Sequence, residues 1–300
     1  MRIGLFGGDA AGRTVDQVVA DAAAAERDGF ASFVLAQIFG LDNLTTLAVV
    51  GREVPRIELA TGVVPTYPRH PFVLAQQALT VQAATGGRLT LGIGLSHQIV
   101  VESMWGLSFD KPLRHMREYL AVLLPLLREG AVSFSGETLT TNGSLDVAGR
   151  TAPPVIIAAL GPKMLELAGA EADGTATWMT GIATLTSYTV PTITAAAERA
   201  GRPAPRVLAS LPVCVTDDAD AARARAAAEF QVYGMLPSYR AMLDREGAHG
   251  PADVALVGDD ATVAKAVGRL ADGGVTDFVA SIFGTPDERM RTRDLLRSLL

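Results

Sequence analysis

His97 is one of four histidines in this sequence, and its place raises the question of proton transfer. It closes the stretch LGIGLSH, Leu91–His97, three positions after Gly94. A histidine titrates near neutral pH, so it can give a proton to a substrate or take one away. Two glycines, Gly92 and Gly94, precede it in an apolar run. Such a pair can open a loop that cradles phosphate, or it can slim a strand end so that something flat lies close to the backbone. A dinucleotide loop needs a third glycine at fixed spacing. Leu95, Ser96 and His97 follow instead. The glycines therefore read as a strand end kept slim for a flat ring.

Other catalytic patterns do not occur. No cluster of Asp, Glu and His has metal-ligand spacing. There is no Gly-x-Ser-x-Gly elbow and no pair of carboxylates placed for glycosidase chemistry. The candidate strand ends carry glycine, apolar residues and small hydroxyls, a surface that suits a flat heteroaromatic cofactor.

Composition narrows the class further. The chain has 300 residues, of which 49% are hydrophobic and 19% charged, ample for a large core. A formal net charge of -6 argues against nucleic-acid binding, which normally shows a basic face. The one cysteine, Cys214, sits in an apolar run and reads as a buried strand residue in a reducing cytosol. The N-terminal apolar stretch is too short for a signal peptide. The long uncharged run between Asp173 and Glu198 is too rich in threonine, and contains Pro191, to span a membrane. These features predict a cytoplasmic protein with a small-molecule substrate and neither nucleic-acid nor membrane partners.

The elements that must position His97 follow a repeated signal. Alanine- and leucine-rich runs end in glycine, and short β-branched runs follow. Strand candidates are Arg2–Phe6, Phe30–Leu35, Ile57–Val64, Arg88–Gly94, Val155–Ala159, Thr175–Met179, Val207–Val213 and Thr276–Ala280. Thr14 with Gln17, and Thr285 with Glu288, form capping boxes, and Asp259 or Asp260 can cap a further helix. Eight alternating units favour an α/β chain folded as a (β/α)8 TIM barrel over an open doubly wound sheet. One domain over 1–300 is expected, with insertions after strands 4 and 7. The first, about 130–150, reads as a hairpin turning at Asn142–Gly143. The second, 218–253, is helical and interrupted at Pro237. In such a barrel the active site lies at the C-terminal strand ends. These include Gly7–Asp9, Ala36–Phe39, Gly62–Thr66, Gly94–Gln98, Ala159–Lys163, Met179–Gly181 and Ser281–Gly284.

Four segments in order, TGVVPTYPRHP (61–71), GGRLTLGIGLSH (86–97), ALGPKMLELAGAEADG (159–174) and VGDDATVAKAVGRLADGGVTDFV (257–279), carry a resemblance over essentially the whole chain. It resembles the luciferase-like monooxygenase superfamily, and within it the actinobacterial branch that uses the deazaflavin coenzyme F420. The resemblance implies that Gly62, Val63, Val64, Thr66, Gly94, Leu95, Ser96, His97, Ala159, Leu160, Gly161, Pro162 and Lys163 contact the cofactor. It implies a non-proline cis peptide at Gly62–Val63 that forms a bulge behind the deazaflavin ring; the bland reading is a glycine at a strand bend. It places the phosphate side chain near Gly161–Pro162–Lys163, where a proline in the first helical turn and free N–H groups favour an anion. A plain capped helix with Lys163 in solvent is the alternative. His70 reads as a cap or a packing residue, and Trp105 as core. Phe39, Trp178 and Phe283 stand where they could wall a substrate pocket.

Two positions depart from the family. Many F420-dependent relatives carry an Asp-His pair after the second strand, where this chain has Ala36 and Gln37. Glutamine exchanges hydrogen bonds but no proton near pH 7. Some relatives carry a glutamate acid where His97 stands. His97 then moves the substrate proton, only hydrogen-bonds the cofactor, or packs under the loop. The expected function is an F420-dependent oxidoreductase enzyme that transfers hydride between the deazaflavin C5 and a small organic substrate. His97 and Gln37 are its candidate catalytic residues, with Ser96 and Gln37 positioning groups. The alternatives are an FMN-dependent monooxygenase and a flavin-binding barrel without turnover. The resemblance also implies a homodimer or higher homo-oligomer.

Overall fold

The computed structural model describes residues 1–8 and 10–300; Asp9, one of the strand-end residues above, lies outside them. Eight parallel strands close into a barrel: β1 (Arg2–Phe6), β2 (Ser32–Leu35), β3 (Glu58–Thr61), β4 (Leu89–Gly94), β5 (Val155–Ala158), β6 (Gly174–Trp178), β7 (Arg206–Val215) and β8 (Asp277–Ile282). β7 pairs with both β6 and β8, and β8 with β1, which closes the ring. Closure leaves these eight strands without an open edge, while Leu256–Gly258 pairs with the end of β7 outside the ring. Cys214 is buried in β7.

Local sequence sets the helix starts. Thr14 and Gln17 exchange side-chain and backbone hydrogen bonds at the start of α1 (Val15–Arg27). The outer ring continues with α2 (Asn43–Glu53), α3 (Pro71–Ala84), α4 (Pro112–Arg128), α5 (Pro162–Glu171) and α6 (Val190–Arg199). The helices α7 (Ala219–Glu229), α8 (Gln231–Met235) and α9 (Pro237–Glu246) form the insertion after β7. Pro237 opens α9, so the break in the helical pattern is a helix start. Asp259 caps α10 (Asp260–Asp272), and a second Thr–Glu box caps α11 (Pro286–Ser298). None of the helices, among the described residues, is long and apolar enough to cross a membrane.

Two packed regions result. Val34, Ala60, Ile156, Ala176, Leu208 and Val279 point inward and fill the barrel. The larger core lies between strands and helices. The end of the barrel where the strands begin is closed by charge. Arg206 bonds to Asp277 at 2.8 Å and to Glu58 at 3.0 Å, and donates to the Thr90 hydroxyl at 3.1 Å. Arg2 reaches both carboxylates. The ion pairs tie β1, β3, β7 and β8 together, and the Thr90 bond adds β4.

The hairpin differs from expectation. Its strands are Ala131–Ser135 and Thr140–Ser144, with Asn142 opposite Ser133 and Gly143 opposite Val132. Asn142–Gly143 is thus within a strand, and the chain turns over residues 136–139. The cause is tertiary: the buried Glu118 carboxylate on α4 accepts from the N–H groups of Glu137, Thr138 and Leu139 and from the Thr138 hydroxyl. Burial alone would raise the Glu118 carboxyl, but these bonds outweigh it and hold it down at about 2. Trp105 is another departure; it is half-exposed in the loop after β4 and not core.

Replacing Arg206 with alanine leaves Asp277 and Glu58 to Arg2 alone, which is more exposed and reaches Asp277 only at 3.5 Å. A loss of about 3 kcal/mol is expected, toward the lower end for a broken buried pair because Glu58 keeps some solvent contact. Urea unfolding measures it. A change below about 0.5 kcal/mol would place the cluster with exposed ion pairs of little weight.

Candidate active site

The site is built from the join of β3 and β4. β3 ends at Thr61, the chain bulges at Gly62–Val63, and Val64–Pro65 then pairs with Ile93 and Gly94. The Gly62–Val63 peptide bond is cis. The Thr61 hydroxyl donates to the Gly92 carbonyl and accepts from the Gly92 N–H, both at 2.8 Å. A Cβ on Gly92 would lie 2.0 Å from the Thr61 carbonyl oxygen, and one on Gly94 would lie 2.6 Å from a methyl of Val63. The two glycines therefore make room for the neighbouring bulge. This corrects the expectation that they leave bare backbone for a ring: Val63 covers Gly94.

Thr66 is 1% exposed, and its N–H donates to the Gly94 carbonyl at 2.9 Å. Its hydroxyl meets His115 Nε2 on α4 at 3.0 Å. Burial pushes His115 down to about 4, against the pull of Glu118, so its ring is neutral at pH 7. His70 accepts from the Phe72 N–H and caps α3.

After β4, Leu95 packs on the core and Ser96 takes φ +64. Met179, after β6, takes φ +54. Left-handed backbone at non-glycine residues is uncommon and clusters at functional sites. His97 is half-buried, and its carbonyl accepts from the N–H groups of Val100 and Val101 at 2.9 Å each. Burial lowers its pKa from the ordinary value, so it is neutral at pH 7. Its ring lies 5.5 Å from that of Tyr239 on α9.

Trp178 ends β6 and reaches across to Phe6 on β1, stacking at 5.4 Å and 26°. Phe6 and Val63 rest on the inward-pointing plug. Phe230 and Tyr233 meet Trp178 edge-on at 6.0 and 5.6 Å. The indole Nε1 is buried and has no hydrogen-bond partner among the described residues. An apolar floor with one unpaired donor is what a flat heteroaromatic ligand with a few polar edge atoms would use.

At β5, Gly161 precedes α5 and Pro162 occupies its first turn. No side chain caps this helix, and nothing lies within 4 Å of a Cβ built on Gly161. The turn has both space and free N–H groups for an anion. Ala159 is buried just before it, and the Leu160 carbonyl accepts from the Tyr188 hydroxyl at 3.2 Å. Lys163 lines a groove of about 450 Å³ between α4 and α5, with Arg117 and Glu166, on the outside of the barrel.

Three candidates stand apart from that picture. Gln37 accepts from the Asn43 N–H at 2.9 Å through its side-chain carbonyl, which orients the amide and leaves its N–H groups and the oxygen's second lone pair to meet a ligand. Phe39 is 62% exposed on the rim. Phe283 is 1% exposed and packs edge-on against Phe230 at 5.7 Å; it belongs to the core behind the site and not to its wall. The structure adds Phe6, Tyr67, His115, Tyr233 and Tyr239. Phe6, as the last residue of a predicted strand, was within reach of the strand-end rule. His115 lies 49 positions from Thr66 and carries no local signal. Among the described residues no group of three or more His, Cys, Asp or Glu side chains could hold a metal ion.

A family model described as luciferase-like monooxygenase matches residues 2–292. The chain belongs to the luciferase-like monooxygenase family. It is by that membership an enzyme. A 5,10-methylenetetrahydromethanopterin reductase of Methanolobus tindarius is 32% identical over 279 residues, covering 91% of this chain and 84% of the relative. A solved F420-dependent secondary alcohol dehydrogenase, in complex with an F420–acetone adduct, superposes with a TM-score of 0.80 at 19% identity, covering 100% of this chain and 98% of that one. The FMN-bound oxygenating constituent of 3,6-diketocamphane monooxygenase of Pseudomonas putida superposes at 0.79 with 17% identity, covering 99% and 96%. The two structural likenesses agree with the barrel fold of this luciferase-like chain.

A paired substitution tests the join of β3 and β4. Gly92→Ala should cost about 3 kcal/mol or more, because backbone must move to admit the methyl. Gly161→Ala, with open space and ordinary backbone, should stay within about 1 kcal/mol. Equal unfolding midpoints for the two variants would contradict the close approach of Thr61.

Proposed function

We propose that this enzyme is an F420-dependent oxidoreductase acting on a small organic substrate. The observation that carries the reading is the floor at the barrel mouth. Phe6 rests on the plug with Trp178 stacked on it, the indole N–H is unpaired, and Val63 rests on the same plug. These residues fit a flat ring with few charges. The open Gly161 turn fits an anionic side chain attached to it. Relatives described as acting with F420 support the choice of ring.

When bound, reduced F420 supplies a hydride, and the oxidised form accepts one. The chain's own residues do the rest. Val63, Phe6 and Trp178 exclude water from one side of the ring and fix its plane. The helices α8 and α9 roof the mouth through Tyr233 and Tyr239, which meet edge-on at 5.3 Å. His97, under Tyr239, handles the proton that accompanies hydride transfer. Because burial keeps it neutral at pH 7, it is ready to take a proton from a substrate hydroxyl or amine. Gln37 offers amide donors from the β2 side.

Binding is tested by titrating purified protein with F420 and with FMN. Saturable F420 binding with FMN at least tenfold weaker is expected; the reverse order would make the enzyme an FMN-dependent monooxygenase. With a turning-over substrate, His97→Ala should lower kcat by about 10²-fold or more. As a base with a lowered pKa, His97 should give a kcat/KM that is flat above pH 6.5 and falls at more acidic pH, as the ring protonates. Activity that rises toward acidic pH would assign it the opposite role.

A further inference from the structure

Tyr67 buries a hydroxyl that nothing on the described chain pairs with. It directly follows Thr66 on the segment that leaves the bulge. Its ring is the centre of a stack of three. His115 lies parallel to it at 4.0 Å and 4°, and Phe109, from the loop after β4, lies on it at 5.2 Å and 28°. Tyr119 backs His115 at 5.7 Å and donates its own hydroxyl to the Arg69 carbonyl at 2.9 Å. Two neighbouring polar groups are occupied: His115 Nε2 meets the Thr66 hydroxyl, and the Tyr119 hydroxyl meets the Arg69 carbonyl, while Arg69 Nη1 is itself buried without a partner. With rings pressed on both faces, Tyr67 has a fixed plane, so the direction of its hydroxyl is set before any ligand arrives. Buried hydroxyls without a partner are rare in native proteins, and one held rigidly beside a binding site points to a partner supplied from outside the chain.

The local charge narrows that partner. Burial, then the charges of Asp110 and Glu102, push the Tyr67 hydroxyl up to about 12. It is therefore a neutral phenol, able to donate and to accept. The same two carboxylates disfavour a phosphate or carboxylate at this spot. The partner is uncharged.

We propose that the Tyr67 hydroxyl hydrogen-bonds a neutral carbonyl or N–H on the edge of the flat ring held against Val63, and not the anionic side chain of that ligand. This rests on the F420 reading above.

Tyr67→Phe keeps the three-ring stack and removes only the oxygen. Two ligands are titrated into wild type and variant: F420, and the ribityl deazaflavin that lacks the phosphate side chain. Thermal unfolding of both proteins is recorded without ligand. The variant should bind both ligands about tenfold more weakly, the usual effect of one lost hydrogen bond. Its ligand-free melting temperature should be unchanged or higher, because an unpaired buried group has been removed. Equal affinities in wild type and variant would overturn the proposal. So would a loss confined to F420, which would place the contact on the side chain, or a lowered melting temperature, which would make the hydroxyl structural. A wild type that binds neither ligand would instead overturn the F420 reading itself.

Discussion

The close contact between Thr61 and Gly92 is the constraint on which this site depends. One hydroxyl satisfies both backbone groups of Gly92, and the Thr61 carbonyl occupies the space a side chain there would need. With β3 held this near β4, the chain at Gly62–Val63 has to bulge before it can rejoin the sheet at Val64. The bulge throws Val63 over Gly94 and onto the inward-pointing plug. It also delivers Thr66 and Tyr67 to the rings of α4. One backbone approach thus sets the wall of the mouth, and the first residues beyond it.

Opposite that wall, the insertion after β7 is fastened to the barrel at several points. Glu246 at the end of α9 accepts from the N–H groups of Ala183 and Thr184, in the segment after β6. Arg245 lies 3.8 Å over the ring of Tyr188, whose hydroxyl donates to the Leu160 carbonyl beside the Gly161 turn. The aromatic series Phe6, Trp178, Tyr233, Tyr239 and His97 runs from the floor into the same insertion. The α8–α9 segment, the Gly161 turn and His97 are therefore parts of one packed assembly.

Much of the fold was legible because it is written locally. The capping boxes at Thr14 and Thr285 and the alternation of helix and strand runs each depend on residues a few positions apart. Gly62–Val63 was legible through family resemblance. What escaped was set by residues far apart in the chain. The hairpin turn obeys Glu118 and not Asn142–Gly143, because a buried carboxylate that accepts three N–H groups outweighs a favourable turn pair. Gly92 and Gly94 were rightly singled out but for the wrong neighbour. Phe283 stood at a strand end, yet its ring turns to Phe230 and the core. A strand-end rule places a residue near the mouth and does not say which way it faces.

The proposed reaction seats a flat deazaflavin ring against Phe6 and Trp178. The chain has two tryptophans, so protein labelled with ¹⁵N on the indole gives two side-chain resonances. Trp178→Phe assigns them. Titration with F420 is predicted to shift the Trp178 indole N–H resonance saturably, since that donor is buried and unpaired beforehand. A Trp178 resonance that stays in place while F420 binds would show that the ring lies elsewhere.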